Sequence, residues 1–373
     1  MKWSLKLGSF AGIGVYLHWT FALLIGWIFF GHLSAGDSTR EALSGVGFIV
    51  ALFTCVVLHE FGHALTARRF GVGTRDITLF PIGGVARLER IPEKPMQEFW
   101  VAIAGPAVNG AIAAIILVVL VLLGRGADLF TLQSLESGFL EKLLWVNLFI
   151  GCFNLLPAFP MDGGRVLRSL LAIRIGRRRA TAIAANVGQA MAILLGIIGL
   201  FHNPFLIFIA IFVYLGAQGE ADHVDTESML EGLRVHDAMM TRFRTLSAHD
   251  PLDRAVEELL AGSQQDFPVV DHEQVLGILR RNDLVKALTD GRGEALVGDI
   301  MWRDCRPVDE TDVLITTLEA MSESGNATLP VWGGGRLAGL LTLENIGELI
   351  MVNAAQARKA RGSRSISSRE TNP

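Results

Sequence analysis

Charge is scarce in this sequence, and it is scarce in blocks. Only 19% of the 373 residues are charged while 51% are hydrophobic, and the mean hydropathy is +0.42. That balance excludes an ordinary soluble protein of this length, which needs more polar surface. Neither sign of charge dominates: a formal net charge of −4 supplies no basic footprint, so nucleic acid is not expected as a partner. Cysteine is almost absent. Cys55, Cys152 and Cys305 stand far apart, two of them inside apolar runs, which argues against a disulfide framework and a Cys-type zinc site. Cys55 lies four residues before His59, on the same helical face, and reads as a packing residue. A cleavable leader is not expected either. The first apolar run is too long for one, is rich in Trp and Phe, and lacks a clear small-residue cleavage site.

Uncharged runs cover Leu7–Gly36, Ala42–Leu58, Phe99–Gly124, Leu143–Met161 and Ala180–Gly219. About 20 apolar residues span a bilayer as a helix. The last run is 40 residues long and is cut by His202-Asn203-Pro204, so it reads as two helices. Six spans are expected, the sixth the shortest. Lys and Arg between them fall fourteen on the side of the N-terminus and three, Arg40, Arg125 and Lys142, on the other. The positive-inside rule then puts both termini in the cytoplasm of a multi-pass protein of the cell (plasma or inner) membrane. The segment "DITLFPIGGVARLER" (Asp76 to Arg90) is rich in β-formers and broken at Pro81 to Gly84, which reads as a hairpin with an edge for an extended peptide or as a plain surface hairpin. "AGPAVNG" (Ala104 to Gly110) places small residues on the third span, suited to close helix packing.

After Glu220 the character changes, and residues 235–352 repeat at a constant offset of 62. "VHDAM" at Val235 matches "VGDIM" at Val297, "FPVV" at Phe267 matches "LPVW" at Leu329, and "VLGIL" at Val275 matches "LAGLL" at Leu337. Each repeat reads as a strand, an amphipathic helix (Leu252–Leu260; Leu314–Met321), two short strands and a closing helix. The tail from Ala354 is basic and Ser-rich and is expected to be disordered.

The chemistry concentrates in "HEFGH". His59 and His63 are one helical turn apart, so both imidazoles leave one face and can share a metal, with Glu60 beside them to accept a proton from a metal-bound water. Such a motif also arises by chance. Three ionisable residues at membrane depth, however, are costly and point to function. Catalytic zinc usually takes three protein ligands. Asp162, in "NLLPAFPMDGGR" (Asn154 to Arg165), stands at comparable depth on another span and is the leading candidate for the third; His18 is its rival. Pro157 and Pro160 should break the helix there, and Gly163 and Gly164 allow unusual backbone angles. A broken helix at that depth suits the wall of a cavity.

"HEFGH" followed by "NLLPAFPMDGG" resembles the site-2 protease family of intramembrane zinc metalloproteases, over roughly residues 1–220. The family's second motif is matched by Asn154, Pro157, Asp162 and Gly163. The resemblance implies that His59, His63 and Asp162 bind one zinc ion and that Glu60 is the catalytic acid/base. It also implies that Asn154 helps hold the substrate backbone or the oxyanion, although a buried Asn can equally cap the broken helix. Implied substrates are single-span membrane proteins in the lipid bilayer. The repeat resembles a tandem pair of cystathionine-β-synthase-type (CBS) domains, which often bind adenine nucleotide. That family's ribose contact pairs a Ser or Thr with an Asp three residues on. The first repeat has Arg280 and Asp283, the second Thr342 and Asn345, so Asp283 and Thr342 are the carried-over candidates. A platform for a homodimer or for docking is the alternative.

The expected fold is therefore an α-helical polytopic membrane domain of about six transmembrane helices with small β-hairpin elements, followed by an α/β tandem CBS module. Its boundaries are 1–220 for the metalloprotease domain, 221–234 for a linker, 235–296 and 297–353 for the two CBS domains, and 354–373 for the tail. The expected activity is regulated intramembrane proteolysis under control of the CBS pair. The competing class is a CBS-regulated transporter or channel, and a third reading is an inert membrane scaffold.

Overall fold

The computed structural model describes residues 4–90, 92, 94–125, 138–272 and 274–370, the last fourteen as backbone only. The chain divides into two units, residues 1–224 and 225–373.

The first unit opens with strands β1 (Ser4–Phe10) and β2 (Ile13–His18), followed by helices α1 (Thr20–Ser34) and α2 (Thr39–Arg69). Strands β3 (Thr74–Phe80) and β4 (Gly83–Leu88) precede α3 (Pro95–Leu122), α4 (Phe139–Asn154), α5 (Asp162–Ile175), α6 (Arg177–Phe201) and α7 (Phe205–Leu230). The four strands form one sheet in the order β1-β2-β3-β4, with β2 and β3 parallel and both outer pairs antiparallel. β3 and β4 realise the hairpin expected over 76–90, and β4 is a free edge of the sheet.

The first uncharged run departs from the single span expected of it. Leu7–Phe10 and Ile13–His18 are strand, joined by a turn at Ala11 and Gly12, and only the 15 residues of α1 are helical. The alternation in "GVYLH" carries a strand period that its lack of charge conceals. Among the described residues four helices, α2, α3, α6 and α7, are long and apolar enough to cross a membrane. α4 has 16 residues, about 24 Å at the helical rise, and stops short of the roughly 30 Å hydrocarbon core. Large apolar side chains lie on the outside of these helices, among them Leu122, Phe201, Phe208 and Leu215. That suits contact with lipid rather than water.

Local signals fix the helix ends. Ser38 and Glu41 close a capping box at the start of α2, the Ser38 amide donating to Glu41 Oε2 at 2.8 Å and the Glu41 amide to Ser38 Oγ at 3.3 Å. Pro95 begins α3, where its missing N–H costs nothing. α4 ends at Asn154 and α5 begins at Asp162, so the Pro157/Pro160 turn breaks the helix as expected. Gly163 and Gly164 belong to the first turn of α5 and make room for it: a Cβ on Gly163 would lie 2.2 Å from the Leu156 carbonyl oxygen, and one on Gly164 would lie 2.6 Å from the Phe159 amide nitrogen. Residues 221–230 of the expected linker are the last turns of α7.

The second unit contains α8 (Val235–Ala238), α9 (Leu252–Ala261), β5 (Phe267–Asp271), β6 (Gln274–Leu279) and α10 (Arg281–Thr289). Its second half repeats them as α11 (Val297–Ile300), β7 (Val308–Asp309), α12 (Leu314–Ser324), β8 (Thr328–Gly333), β9 (Arg336–Thr342) and α13 (Leu343–Glu370). Each repeat has its own core, but the repeats exchange their first segments. Val297 and Met301 pack with Phe267 and Leu279, while Val235 and Ala238 pack with Val331 and Leu341. The physical boundary between the cores is thus not the repeat boundary at residue 297. The backbone of α13 continues through Ala354–Glu370, where disorder is expected from the composition. The stretch "AAQARKAR" that follows Asn353 is rich in good helix formers, which accounts for the continuation.

Candidate metal centre

α2 carries His59 and His63 on one face, and the first residue of α5 is Asp162. The structure brings the three together: His59 Nε2 and His63 Nε2 are 3.1 Å apart, and each is 3.2 Å from Asp162 Oδ2. Both histidines are buried. Among the described residues this is the single group of His, Cys, Asp or Glu tight enough to share a metal ion. Ligands at the zinc–nitrogen and zinc–oxygen distances of about 2.0–2.2 Å in a tetrahedral site stand about 3.3 Å from one another. The observed separations fit that geometry.

The hydrogen bonds point the same way. His63 Nδ1 donates to the Val101 carbonyl oxygen at 2.7 Å, which assigns the ring proton to Nδ1 and leaves a lone pair on Nε2. That lone pair faces a carboxylate oxygen and a second imidazole nitrogen, an arrangement that calls for a shared cation. A partner on the far ring nitrogen is the usual way a metal-binding histidine is oriented. His59 Nδ1 is buried with no hydrogen bond among the described residues.

α3 supplies the floor of the site, and this is the part the sequence reading missed. A Cβ on Gly105 would lie 2.2 Å from His63 Nε2 and 2.7 Å from His59 Nε2. Only a residue without a side chain leaves the two imidazoles and an ion room against α3. "AGPAVNG" thus does serve close approach, but Gly105 meets the two imidazole rings rather than another helix backbone. The helix itself comes near at Gly62, where a Cβ would lie 2.7 Å from the Ala104 carbonyl oxygen.

Glu60 points to the sheet edge. Its Oε2 accepts a hydrogen bond from the Ala86 amide of β4 at 3.2 Å, and a Cβ on Gly84 would lie 2.8 Å from its Cγ. β4 therefore locates the candidate base. Asn154, half-buried at the end of α4, makes no side-chain hydrogen bond among the described residues. His18 ends β2, pairs with Thr20 Oγ1 at 2.8 Å and packs on Phe80, so the rival ligand lies outside the cluster.

Beyond the histidines, α5 is tied down by charge. Arg168, fully buried, donates to Glu98 of α3 (Nε to Oε1, 2.7 Å) and to Glu220 of α7 (Nη1 to Oε1, 2.5 Å). Counted from the sequence as a loop charge, it is an interior residue. Its removal leaves thirteen basic residues against three in the orientation count, so the bias stands.

In the second unit Thr342 and Asp283 do not share a site. Thr342 lines a cleft of about 340 Å³ together with Asn345, Asp266, Thr328, Glu344 and Glu348. Its hydroxyl donates to Asn345 Oδ1 at 2.6 Å. Asp283 instead accepts from Arg280 Nε at 2.5 Å, and the Arg280 guanidinium lies over the Trp302 ring. The carboxylate carried over from the first repeat is thus occupied by an arginine standing where the motif would have a hydroxyl.

Comparison with known proteins gives two families. The model of Peptidase family M50 matches residues 47–133 and 129–195, and that of the CBS domain matches residues 235–290 and 297–351. Zinc metalloprotease MJ0392 of Methanocaldococcus jannaschii is 31% identical over 347 residues, 93% of this chain and 96% of that protein. Stage IV sporulation protein FB of Bacillus subtilis is 25% identical over 248 residues, 64% of this chain and 83% of that protein. The solved structure of the site-2 protease from Methanocaldococcus jannaschii is 36% identical, covering 59% of this chain and 95% of that one with a TM-score of 0.43.

Proposed function

The chain belongs to Peptidase family M50 and is a zinc metalloprotease with a C-terminal CBS pair, and from that premise we propose that it hydrolyses peptide bonds within or beside the transmembrane helix of single-span membrane proteins. One observation carries the reading. A three-donor cluster with a glutamate beside it joins the apolar membrane-length helix α2 to the first residue of the short helix α5, next to the edge strand β4.

In this reading His59 Nε2, His63 Nε2 and Asp162 Oδ2 hold the zinc. When bound, the ion supplies Lewis acidity, lowering the pKa of a coordinated water to about 7 and polarising the scissile carbonyl. Glu60 takes the proton at its carboxylate and returns it to the leaving amine. Its hydrogen bond to the Ala86 amide keeps the carboxylate at the wall of the site while it does so. A helical amide is hidden by its own hydrogen bonds, so the substrate must unwind before attack. β4, apart from the Ala86 amide that Glu60 holds, offers its outward backbone groups to the unwound segment, which would then be held extended beside Glu60. Asn154, at the end of α4, is placed in the role of steadying that backbone.

By the charge bias, the N- and C-termini lie in the cytoplasm of a cell or inner membrane, and the released fragment enters that compartment. The CBS pair is assigned regulation, and its surface a homodimer. Its ligand would occupy the Thr342 cleft alone. The Asp266, Glu344 and Glu348 carboxylates around it, with no Lys or Arg among the described residues of the lining, favour the adenosine end of an adenine nucleotide over its phosphates.

The test is cleavage of a tagged single-span substrate reconstituted with the full chain in liposomes, with the products mapped by mass spectrometry. Cuts within or a few residues from the transmembrane segment support the proposal. Cuts confined to water-exposed loops, or none, refute it.

A further inference from the structure

A fully buried arginine inside a helix bundle is costly unless its donors are matched, and Arg168 is matched on two sides. Nε and Nη2 face Glu98 Oε1 of α3, Nη1 faces Glu220 Oε1 of α7, and the guanidinium carbon lies over the Phe159 ring, 4.9 Å from its centroid. A planar fork that can bridge two carboxylates and stack on a ring is a property of arginine that lysine does not share.

What this cluster holds is the mounting of Asp162. Phe159 belongs to the turn just before Asp162 and is almost wholly buried. Its backbone is pressed against α5 and α6, where a Cβ on Gly164 would lie 2.6 Å from the Phe159 nitrogen and one on Gly188 2.6 Å from its oxygen. Arg168 is on α5, the helix that Asp162 begins. The guanidinium therefore grips both the turn before the ligand and the helix after it.

Glu98 makes the connection to the histidines. Glu98, Val101 and Gly105 follow one another at spacings of three and four, one face of α3. Glu98 accepts from Arg168, the Val101 carbonyl orients His63, and Gly105 lies under both imidazoles. One stripe of α3 thus sets the histidine pair and the helix carrying the carboxylate in a common frame.

We propose that Arg168, clamped by Glu98 and Glu220, is a positioning residue that fixes Asp162 relative to His59 and His63 and so sets the affinity and geometry of the metal site. The proposal rests on the metal-site reading above, and the experiment separates the two. The full chain is purified in detergent as wild type, Arg168→Lys, Glu98→Gln and, as control, Glu141→Gln. The control disturbs a different ion pair, that of the exposed Arg125 with the buried Glu141 at 2.8 Å. Zinc retention against a competing chelator, the visible spectrum of the cobalt-substituted protein and thermal melting are recorded for each.

Arg168→Lys and Glu98→Gln are expected to hold zinc about 10- to 100-fold more weakly, the range for groups that orient metal ligands, and to shift the cobalt spectrum. Glu141→Gln is expected to melt earlier with both readouts unchanged. Folded Arg168→Lys and Glu98→Gln proteins with wild-type zinc retention and spectrum would overturn the proposal. Should neither variant fold, Glu220→Gln, which removes the more exposed partner, decides it on the same two readouts. A wild-type chain that holds no zinc overturns this proposal and the site reading together.

Discussion

Gly105→Ala adds one methyl group, and its effect can be worked out from the geometry. The new Cβ would stand 2.2 Å from His63 Nε2, 2.6 Å from His63 Cε1 and 2.7 Å from His59 Nε2. Ordinary contact begins at 3.4 Å, so the His63 ring must retreat by about 1.2 Å, the difference between those two distances. That ring is held by its bond to Val101 and by α2, and cannot swing away as a surface side chain would. Metal–ligand distances tolerate only about 0.2 Å, so the displacement exceeds the tolerance roughly sixfold. A misplacement of about 1 Å also costs on the order of 100-fold in rate where positioned groups do the chemistry. The expected outcome is a protein that folds, carries far less than one zinc per chain, and cleaves at least about 100-fold more slowly. The assay is metal analysis of the detergent-purified variant beside circular dichroism and cleavage of a tagged single-span substrate. Wild-type zinc content together with wild-type cleavage would show that the imidazoles do not lie against Gly105, and the site would have to be rebuilt.

Two further outcomes follow from the same contacts. Gly84→Ala presses on Glu60 Cγ from 2.8 Å and on Val56 Cγ1 from 3.0 Å without touching a candidate ligand. It should keep its zinc while kcat falls by about 10-fold, part of the 10²–10⁴ a general base supplies; lost zinc would contradict this. Adenosine should raise the melting temperature of the full chain more than ATP does, and Thr342→Ala should abolish the difference. A stronger effect of ATP would refute the reading of the acidic cleft, and an effect of neither would remove the nucleotide sensor altogether.

Much of the candidate site was legible because its signals are local. The H-E-x-x-H spacing puts two imidazoles on one face whatever surrounds them, and two prolines with a Gly pair mark the break that presents Asp162. The remainder depends on contacts between distant segments. Glu98 and Glu220 flank uncharged runs and Arg168 lies in the charged stretch between two of them, so the spacing places Arg168 among loop charges. Nothing in spacing pairs residues that are 70 and 52 positions apart. Gly105 looks like any small residue on a membrane helix until its neighbours are known to be His59 and His63. The β1–β2 pair was hidden because its strand period lies in an uncharged stretch that runs on into α1 without a charged break, so Leu7–His18 reads as the start of a span. In the second unit the offset of 62 was plain, but not the exchange of first segments, since Val235 and Val297 occupy matching positions while each packs in the other repeat's core.

The central claim is that His59, His63 and Asp162 hold a zinc ion at which Glu60 handles the proton. Glu60→Gln tests it most directly, because it preserves the size of the side chain and removes its basicity. Zinc content and cleavage of a single-span substrate are measured on the same preparation. The account predicts about one zinc per chain, as in the wild type, with cleavage lower by at least 10²-fold. A Glu60→Gln protein that retained zinc and still cut the substrate at the wild-type rate would contradict it.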